Sequence, residues 1–139
     1  NEWAESVDLK TIQNKCDIIS FHVPETEETR YMFNDTFINN CSKPFYLINT
    51  SRGKVVQTSA LVKGMDSGQV LGACLDVLEY ETKSFHNFLV DQLPEDFVWL
   101  AESNQTILSP HVAGWTQESY IKLATVLFDK IKAEFGVQC

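Results

Sequence analysis

Three side-chain types recur in this chain at places where a strand would end, and together they define a chemistry. Arg52 follows the apolar run Phe45-Tyr46-Leu47-Ile48-Asn49 and precedes Gly53. Asp76 closes Val70-Leu71-Gly72-Ala73-Cys74-Leu75, with Glu79 and Glu81 just beyond it. His111 follows Thr106-Ile107-Leu108 and the pair Ser109-Pro110. An arginine offers a planar fork of donors that matches a carboxylate. A histidine moves a proton near neutral pH, and a carboxylate beside it fixes its tautomer and favours its protonated form. Each residue alone has a plain structural reading: a surface arginine, an acid capping a turn, a histidine in a Val-Ala-Gly turn. Their joint placement at successive strand ends carries the weight, because a parallel sheet gathers the carboxyl ends of its strands along one edge.

The elements that would position them can be read in order. Val7, Leu9 and Ile12 predict a helix over 6–14, with Asp8 near its start. Cys16 to Phe21 predicts a buried strand that Pro24 ends, since proline cannot continue a central strand. Glu25 to Arg30 is an acidic loop. Asn34-Asp35-Thr36 can cap a short helix through Phe37 and Ile38 toward Cys41, broken by Pro44. The strand before Arg52 comes next. Thr58-Ser59 opens a third, amphipathic helix, stopped at Ser67-Gly68, and the strand from Val70 to Val77 succeeds it. The stretch 78–103 is irregular and acidic, with a short helix expected over 93–100, and the part between Glu81 and His111, 82–105, reads as a surface excursion. Thr106 to Leu108 is a brief fourth strand. Thr116 can cap a final helix, with Glu118 at its positive end, an apolar stripe through Tyr120, Ala124, Leu127, Phe128, Ile131 and Phe135, and Gly136 as its stop. That stripe is expected to pack in a core or against another domain. Strands alternating with helices predict an α/β fold with a doubly wound parallel sheet, and strands this apolar are expected to be covered on both faces.

Composition narrows the class. The chain has 139 residues, 44% hydrophobic and 22% charged, with a net charge of −8. This is enough for one domain with a real core. The acidic balance and the lack of a Lys/Arg cluster give no footprint for nucleic acid. No apolar run approaches the length of a membrane span, and the polar, acidic start is not a signal peptide. Cys16, Cys41, Cys74 and Cys139 form no CxxC pair and no ligand-spaced cluster with the histidines, so no metal site is expected. Cys16 and Cys74 read as small buried residues, and unpaired cysteines suit a reducing cytoplasm.

Four segments in a fixed order give the chain a resemblance. They are Asp17-Ile18-Ile19-Ser20-Phe21-His22-Val23-Pro24 with Glu28-Thr29-Arg30, then Leu47 to Gly53, then Gly72 to Glu81, then Ser109-Pro110-His111-Val112-Ala113-Gly114. In order and spacing they resemble the D-isomer-specific 2-hydroxyacid dehydrogenases, closest in flavour to the phosphoglycerate and D-lactate dehydrogenase branches. The resemblance implies a Rossmann-type NAD-binding domain, with NAD as cofactor and a small 2-oxo or 2-hydroxy acid as substrate. It implies that Arg52 binds the acid's carboxylate and carbonyl, that His111 is the acid/base, and that Glu81 is the carboxylate bonded to His111. Glu79 is a rival for that last role. Glu81 is preferred because the family's glutamate lies five residues after the strand-end aspartate, the interval from Asp76 to Glu81. The resemblance places Asp76 near the nicotinamide end of the cofactor and puts Val23, Pro24, Thr29, Thr50, Ser51, Arg52, His111 and Gly114 along the NAD cleft. It also implies a homodimer.

The family's GxGxxG fingerprint, which cradles the pyrophosphate at a helix N-terminus, occurs nowhere in the chain. The chain also lacks an initiator Met. Residues 1–115 are therefore expected to be the C-terminal half of a nucleotide domain, and 116–139 a helix returning toward a substrate domain outside the sequence. The isolated chain is expected to be inactive, with weak or no NAD affinity. His22 and His86 find no catalytic partner and read as structural or solvated. Two rivals share the scaffold. A corepressor of the C-terminal-binding-protein type would use NAD as a ligand and keep much of the same triad. A formate or alanine dehydrogenase is the other, and the glutamate at 81 speaks against formate enzymes, which resemble one another in having an amide there.

Overall fold

A computed structural model describes residues 2–81 and 93–136. Four parallel strands form one sheet in the order β1-β2-β3-β4: β1 (Ile18–Phe21), β2 (Phe45–Asn49), β3 (Val70–Leu75) and β4 (Thr106–Leu108). The helices are α1 (Leu9–Lys15), α2 (Asp35–Asn39), α3 (Thr58–Asp66), α4 (Glu95–Glu102) and α5 (Gln117–Phe135), with a 3₁₀ turn at Gly53–Val55. The expected α/β Rossmann-type parallel sheet is therefore present.

Local chemistry sets the helix ends. Asp8 caps α1 by accepting from the Thr11 amide at 2.8 Å, and Asn34 caps α2 by accepting from Phe37 at 3.0 Å. Thr116 does the same for α5 through Ser119, and Gly136 ends that helix in the left-handed region. Such caps satisfy amides that have no partner within the helix.

The core lies on one face of the sheet. Phe21, Phe33, Phe37 and Phe45 form an aromatic cluster with ring centroids 5.4 to 6.2 Å apart. Leu47, Leu61, Val70 and Leu100 close around it, all almost fully buried. Gly64 lets α3 sit down on the sheet: a Cβ there would lie 2.9 Å from the Val70 side chain.

The opposite face is open, contrary to the expectation that apolar strands are covered on both sides. Ile18, Tyr46 and Ile107 are 58%, 50% and 67% exposed, and Leu71 joins them. The reason is handedness. Strands in sequential order, linked by right-handed crossovers, send every connecting helix to the same face. Nothing among the described residues winds back over the other.

The final helix forms where expected, and none of its residues is buried among the described residues: Tyr120, Leu127, Phe128 and Ile131 are exposed with the rest of the stripe, so it joins no core within this chain. One further expectation changes. The stretch after residue 92 is not a mere surface excursion: α4 packs against α3 and β4 and places Leu100 in the core. His86 lies outside the described residues. Cys41 is buried, while Cys16 and Cys74 are only partly so.

Candidate active site

The carboxyl ends of β2, β3 and β4 bring the expected groups onto one edge. Register places Asn49 beside Leu75, and Leu75 beside Leu108, so the three chains leave the sheet side by side.

At the end of β2, Asn49 is fully buried and organises the loop that carries Arg52. Its side-chain oxygen accepts from the Ser51 amide at 3.1 Å and from the Ser51 hydroxyl at 2.8 Å. Its amide nitrogen donates to the Arg52 carbonyl at 3.0 Å. This leaves the Arg52 side chain exposed, with Nη1 donating to the Ser51 carbonyl at 2.6 Å and the rest of the fork without a partner among the described residues. Thr50 is half-buried, and its hydroxyl has no partner among the described residues.

The loop after β3 abuts this one. A Cβ on Gly53 would lie 1.8 Å from the Leu78 carbonyl oxygen, so only glycine permits the approach. Residues 78–81 form a turn in which the Glu81 amide donates to the Leu78 carbonyl at 3.1 Å. The Glu81 carboxylate closes it, Oε1 accepting from the Leu78 amide at 2.7 Å. The other oxygen, Oε2, lies 3.0 Å from Nδ1 of His111. Glu81 is mostly shielded and His111 about half-open, with side chains 15% and 45% exposed. Nε2 of His111 has no partner among the described residues.

The two candidate acids are thereby separated. Glu79 turns away from the histidine and accepts from the Tyr31 hydroxyl at 3.0 Å and the Thr58 amide at 2.7 Å. Glu81 alone reaches His111, as the five-residue interval implied.

Asp76 is 4% exposed, and its carboxylate is spent on the loop after β4. Oδ1 accepts from the Ser109 hydroxyl at 2.6 Å and the Val112 amide at 2.9 Å, and Oδ2 from the Ala113 amide at 2.9 Å. Burial pushes its pKa up, but the bonds from Ser109, Ala113 and Val112 and the nearby His111 charge outweigh it and hold the carboxyl below its ordinary value. The same loop holds His111 at φ 56°, in the left-handed region. Its amide donates to the Asp76 carbonyl at 2.9 Å. Histidine is among the few non-glycine residues that tolerate this backbone, which costs about 1–3 kcal/mol and persists where the surroundings enforce it.

The loop after β1 carries Val23, half-buried, and Pro24, exposed. Thr29 ties it shut, its hydroxyl donating to the Pro24 carbonyl at 2.6 Å and accepting from the Thr26 amide at 2.9 Å. His22 is exposed and pairs with the Ser20 hydroxyl at 2.8 Å. Ala113 and Gly114 are exposed beyond His111. Among the described residues no group of His, Cys, Asp or Glu could hold a metal ion. Sequence reasoning passed over Asn49, Ser109 and Tyr31. The visible signal for the first two was a polar residue at the mouth of each strand.

A parallel α/β sheet with an acid–histidine pair and an arginine at its carboxyl edge defines a class, the nucleotide-binding type of α/β domain with polar groups gathered at the strand mouths. Residues 1–113 match the family described as D-isomer specific 2-hydroxyacid dehydrogenase, NAD binding domain, and the chain belongs to that family. It is 40% identical over 120 residues to a glyoxylate reductase of Thermofilum pendens, covering 86% of this chain and 32% of that protein. It is 31% identical to a D-lactate dehydrogenase of Lactiplantibacillus plantarum, covering 89% and 38%. The NAD-complexed D-isomer specific 2-hydroxyacid dehydrogenase of Lactobacillus delbrueckii ssp. bulgaricus superposes with a TM-score of 0.80 at 31% identity, over 96% of this chain and 41% of that one. The chain thus spans about a third to two-fifths of the length of these relatives.

The donor set fits part of a dinucleotide: the Thr50 hydroxyl, without a partner among the described residues, strand-end backbone and one imidazole suit amide and hydroxyl groups. The 139 residues contain no GxGxxG loop for the phosphates.

Proposed function

We propose that this chain supplies the catalytic side of an NAD-dependent enzyme that interconverts a small 2-oxo acid and the D-2-hydroxy acid. The Glu81–His111 pair, 3.0 Å apart at the mouth of the sheet beside Arg52, carries the reading. The exposed fork of Arg52 binds the substrate carboxylate and polarises the neighbouring carbonyl. His111, with Nδ1 held by Glu81, presents Nε2 to the carbonyl oxygen, giving up a proton in reduction and taking one in oxidation. Glu81 fixes the tautomer and orientation of the ring, as the acid does in a proton-transfer triad. The cofactor, when bound, supplies or accepts the hydride.

In this reading Val23–Pro24, Thr50–Ser51 and Gly114 line the cofactor cleft. Thr29 and Asp76 stand one step behind, holding the loops that do so. Residues 1–115 act as part of the nucleotide domain, and 116–139 pack toward a substrate domain. The exposed apolar side chains of α5 support that division, since such a surface calls for a covering partner. Cys16, Cys41 and Cys74 are free, which supports a reducing compartment, the cytoplasm. No described helix is long and apolar enough to cross a membrane. Homodimerisation of the intact protein is part of the proposal, and sedimentation checks it.

The test monitors NADH absorbance in the full-length protein with pyruvate, hydroxypyruvate, glyoxylate and phosphohydroxypyruvate. One acid should be reduced, His111→Ala should abolish the rate, and Arg52→Ala should chiefly weaken substrate use. Binding of NADH without turnover of any acid would overturn the enzymatic reading in favour of a nucleotide-gated binding protein.

A further inference from the structure

Glu79 has no place in the proton relay, yet it makes two strong contacts from the turn that carries Glu81. Its carboxylate accepts from the Tyr31 hydroxyl and from the Thr58 amide, at 3.0 and 2.7 Å. Thr58 is the first residue of α3, and Gln57 before it makes no side-chain cap. Tyr31 belongs to the segment after β1 and is held at φ 53°, with its amide donating to the Lys54 carbonyl at 2.7 Å. The next residues run alongside the same stretch: Phe33 donates to Val55 at 3.0 Å, and Gln57 donates to Phe33 at 2.9 Å. One carboxylate therefore joins three strand-end segments: the loop after β1, the start of α3 and the 78–81 turn.

We propose that Glu79, gripped by Tyr31 and Thr58, is a positioning residue that fixes the 78–81 turn and so aims Glu81 at His111 while anchoring the cofactor-side loop after β1. Glu79 sits inside the turn that Glu81 closes, with Leu78 as the shared hinge. The Leu78 amide is held by Glu81, and the Leu78 carbonyl is wedged against Gly53. Rotation of the turn would move Glu81 off Nδ1, and a side chain anchored outside the turn resists that rotation together with the wedge against Gly53. Bonds to an ionised acceptor are the strong ones, so the anchor is stiff. Tyr31 adds the second coupling, because its strained backbone continues into the loop closed by Thr29. This inference rests on the functional reading for its cofactor arm only.

The decisive variant is Tyr31→Phe in the full-length protein. It deletes one hydroxyl and leaves the Glu79–Thr58 bond and the α3 cap in place. The expected results are NADH affinity about tenfold weaker by fluorescence titration, faster hydrogen exchange at the Leu78 amide in the ligand-free protein, and a melting temperature close to wild type. Glu79→Gln, which keeps one acceptor oxygen, should show the same two changes. Unaltered NADH affinity together with unaltered Leu78 exchange in Tyr31→Phe overturns the inference. So does a Glu79→Gln variant that only melts earlier, which would make Glu79 a helix cap and nothing more. If the wild type binds no NADH, the functional reading fails, and Leu78 exchange alone decides the positioning role.

Discussion

The Ser109 hydroxyl lies 2.6 Å from Oδ1 of Asp76, and this bond ties the end of β3 to the loop that carries His111. The acid at the end of one strand thus holds the loop that follows the next. Val112 and Ala113 complete the grip from the far side of His111.

Stability should therefore depend on the ionisation of Asp76. Its folded-state carboxyl lies below the ordinary value of 3.8, so the folded protein binds the proton less readily than the unfolded chain. The stabilisation is then complete above that ordinary value and is lost as pH falls through the lower folded-state value. Asp76→Ala should cost about 3 kcal/mol at neutral pH. Urea unfolding from neutral to strongly acidic pH should show wild type and Asp76→Ala converging only at the acid end.

Glu81→Gln should separate folding from proton transfer. A glutamine oxygen can still accept from the Leu78 amide, so the turn survives. The imidazole loses its anionic partner. Turnover should fall by about 10²-fold, within the range for acid–base catalysis, with NADH affinity unchanged. Steady-state rates beside fluorescence titration give both numbers.

Arg52→Lys should spare the fold, because the side chain is exposed, and should fail in recognition. A lysine presents a point charge in place of a fork. The KM for the 2-oxo acid should rise by about tenfold or more, the value of one lost charge-assisted bond. The melting temperature should not move.

Gly53→Ala places a methyl where the Leu78 carbonyl now sits. Both loops must separate, at about 1–3 kcal/mol, the usual range for overpacking. Because Arg52 and the Glu81 turn move apart together, substrate KM should rise along with the loss of stability. Thermal melts paired with kinetics would reveal a mere packing defect if KM stayed constant.

Phe33→Ala removes the ring that touches Phe21, Phe37 and Phe45. It should destabilise by about 3–5 kcal/mol, read from chemical denaturation, with no selective effect on substrate binding.

Much of this was legible in the residues. Strand positions came from short apolar runs closed by polar groups, and every strand fell where those runs lie. Asp8, Asn34 and Thr116 announced their helices because capping is a local bond, reaching only to the third residue. Parallel topology put Arg52, the acids from Asp76 to Glu81 and His111 along one edge, and the choice of Glu81 over Glu79 came from the family resemblance. The partners of Glu79 and Asp76 were not legible. Glu79 bonds Tyr31 across 48 positions and Asp76 bonds Ser109 across 33, separations that no local pattern encodes. The open sheet face was equally hidden. Apolar strands signal that both faces avoid water, but not whether the covering elements lie within the same stretch of chain.

By itself the sequence determined the class of fold, the strand mouths and the identity of the groups gathered there, because periodicity, caps and strand order are properties of neighbours along the chain. Residue types and strand order left Glu79 and Glu81 both open, the family resemblance favoured Glu81, and the tertiary structure shows why that acid is the one that meets the histidine. Glu79 and Glu81 stand two residues apart in one turn, and the turn's closure on Leu78 and its wedge against Gly53 point one carboxylate at Nδ1 of His111 and the other at Tyr31 and Thr58.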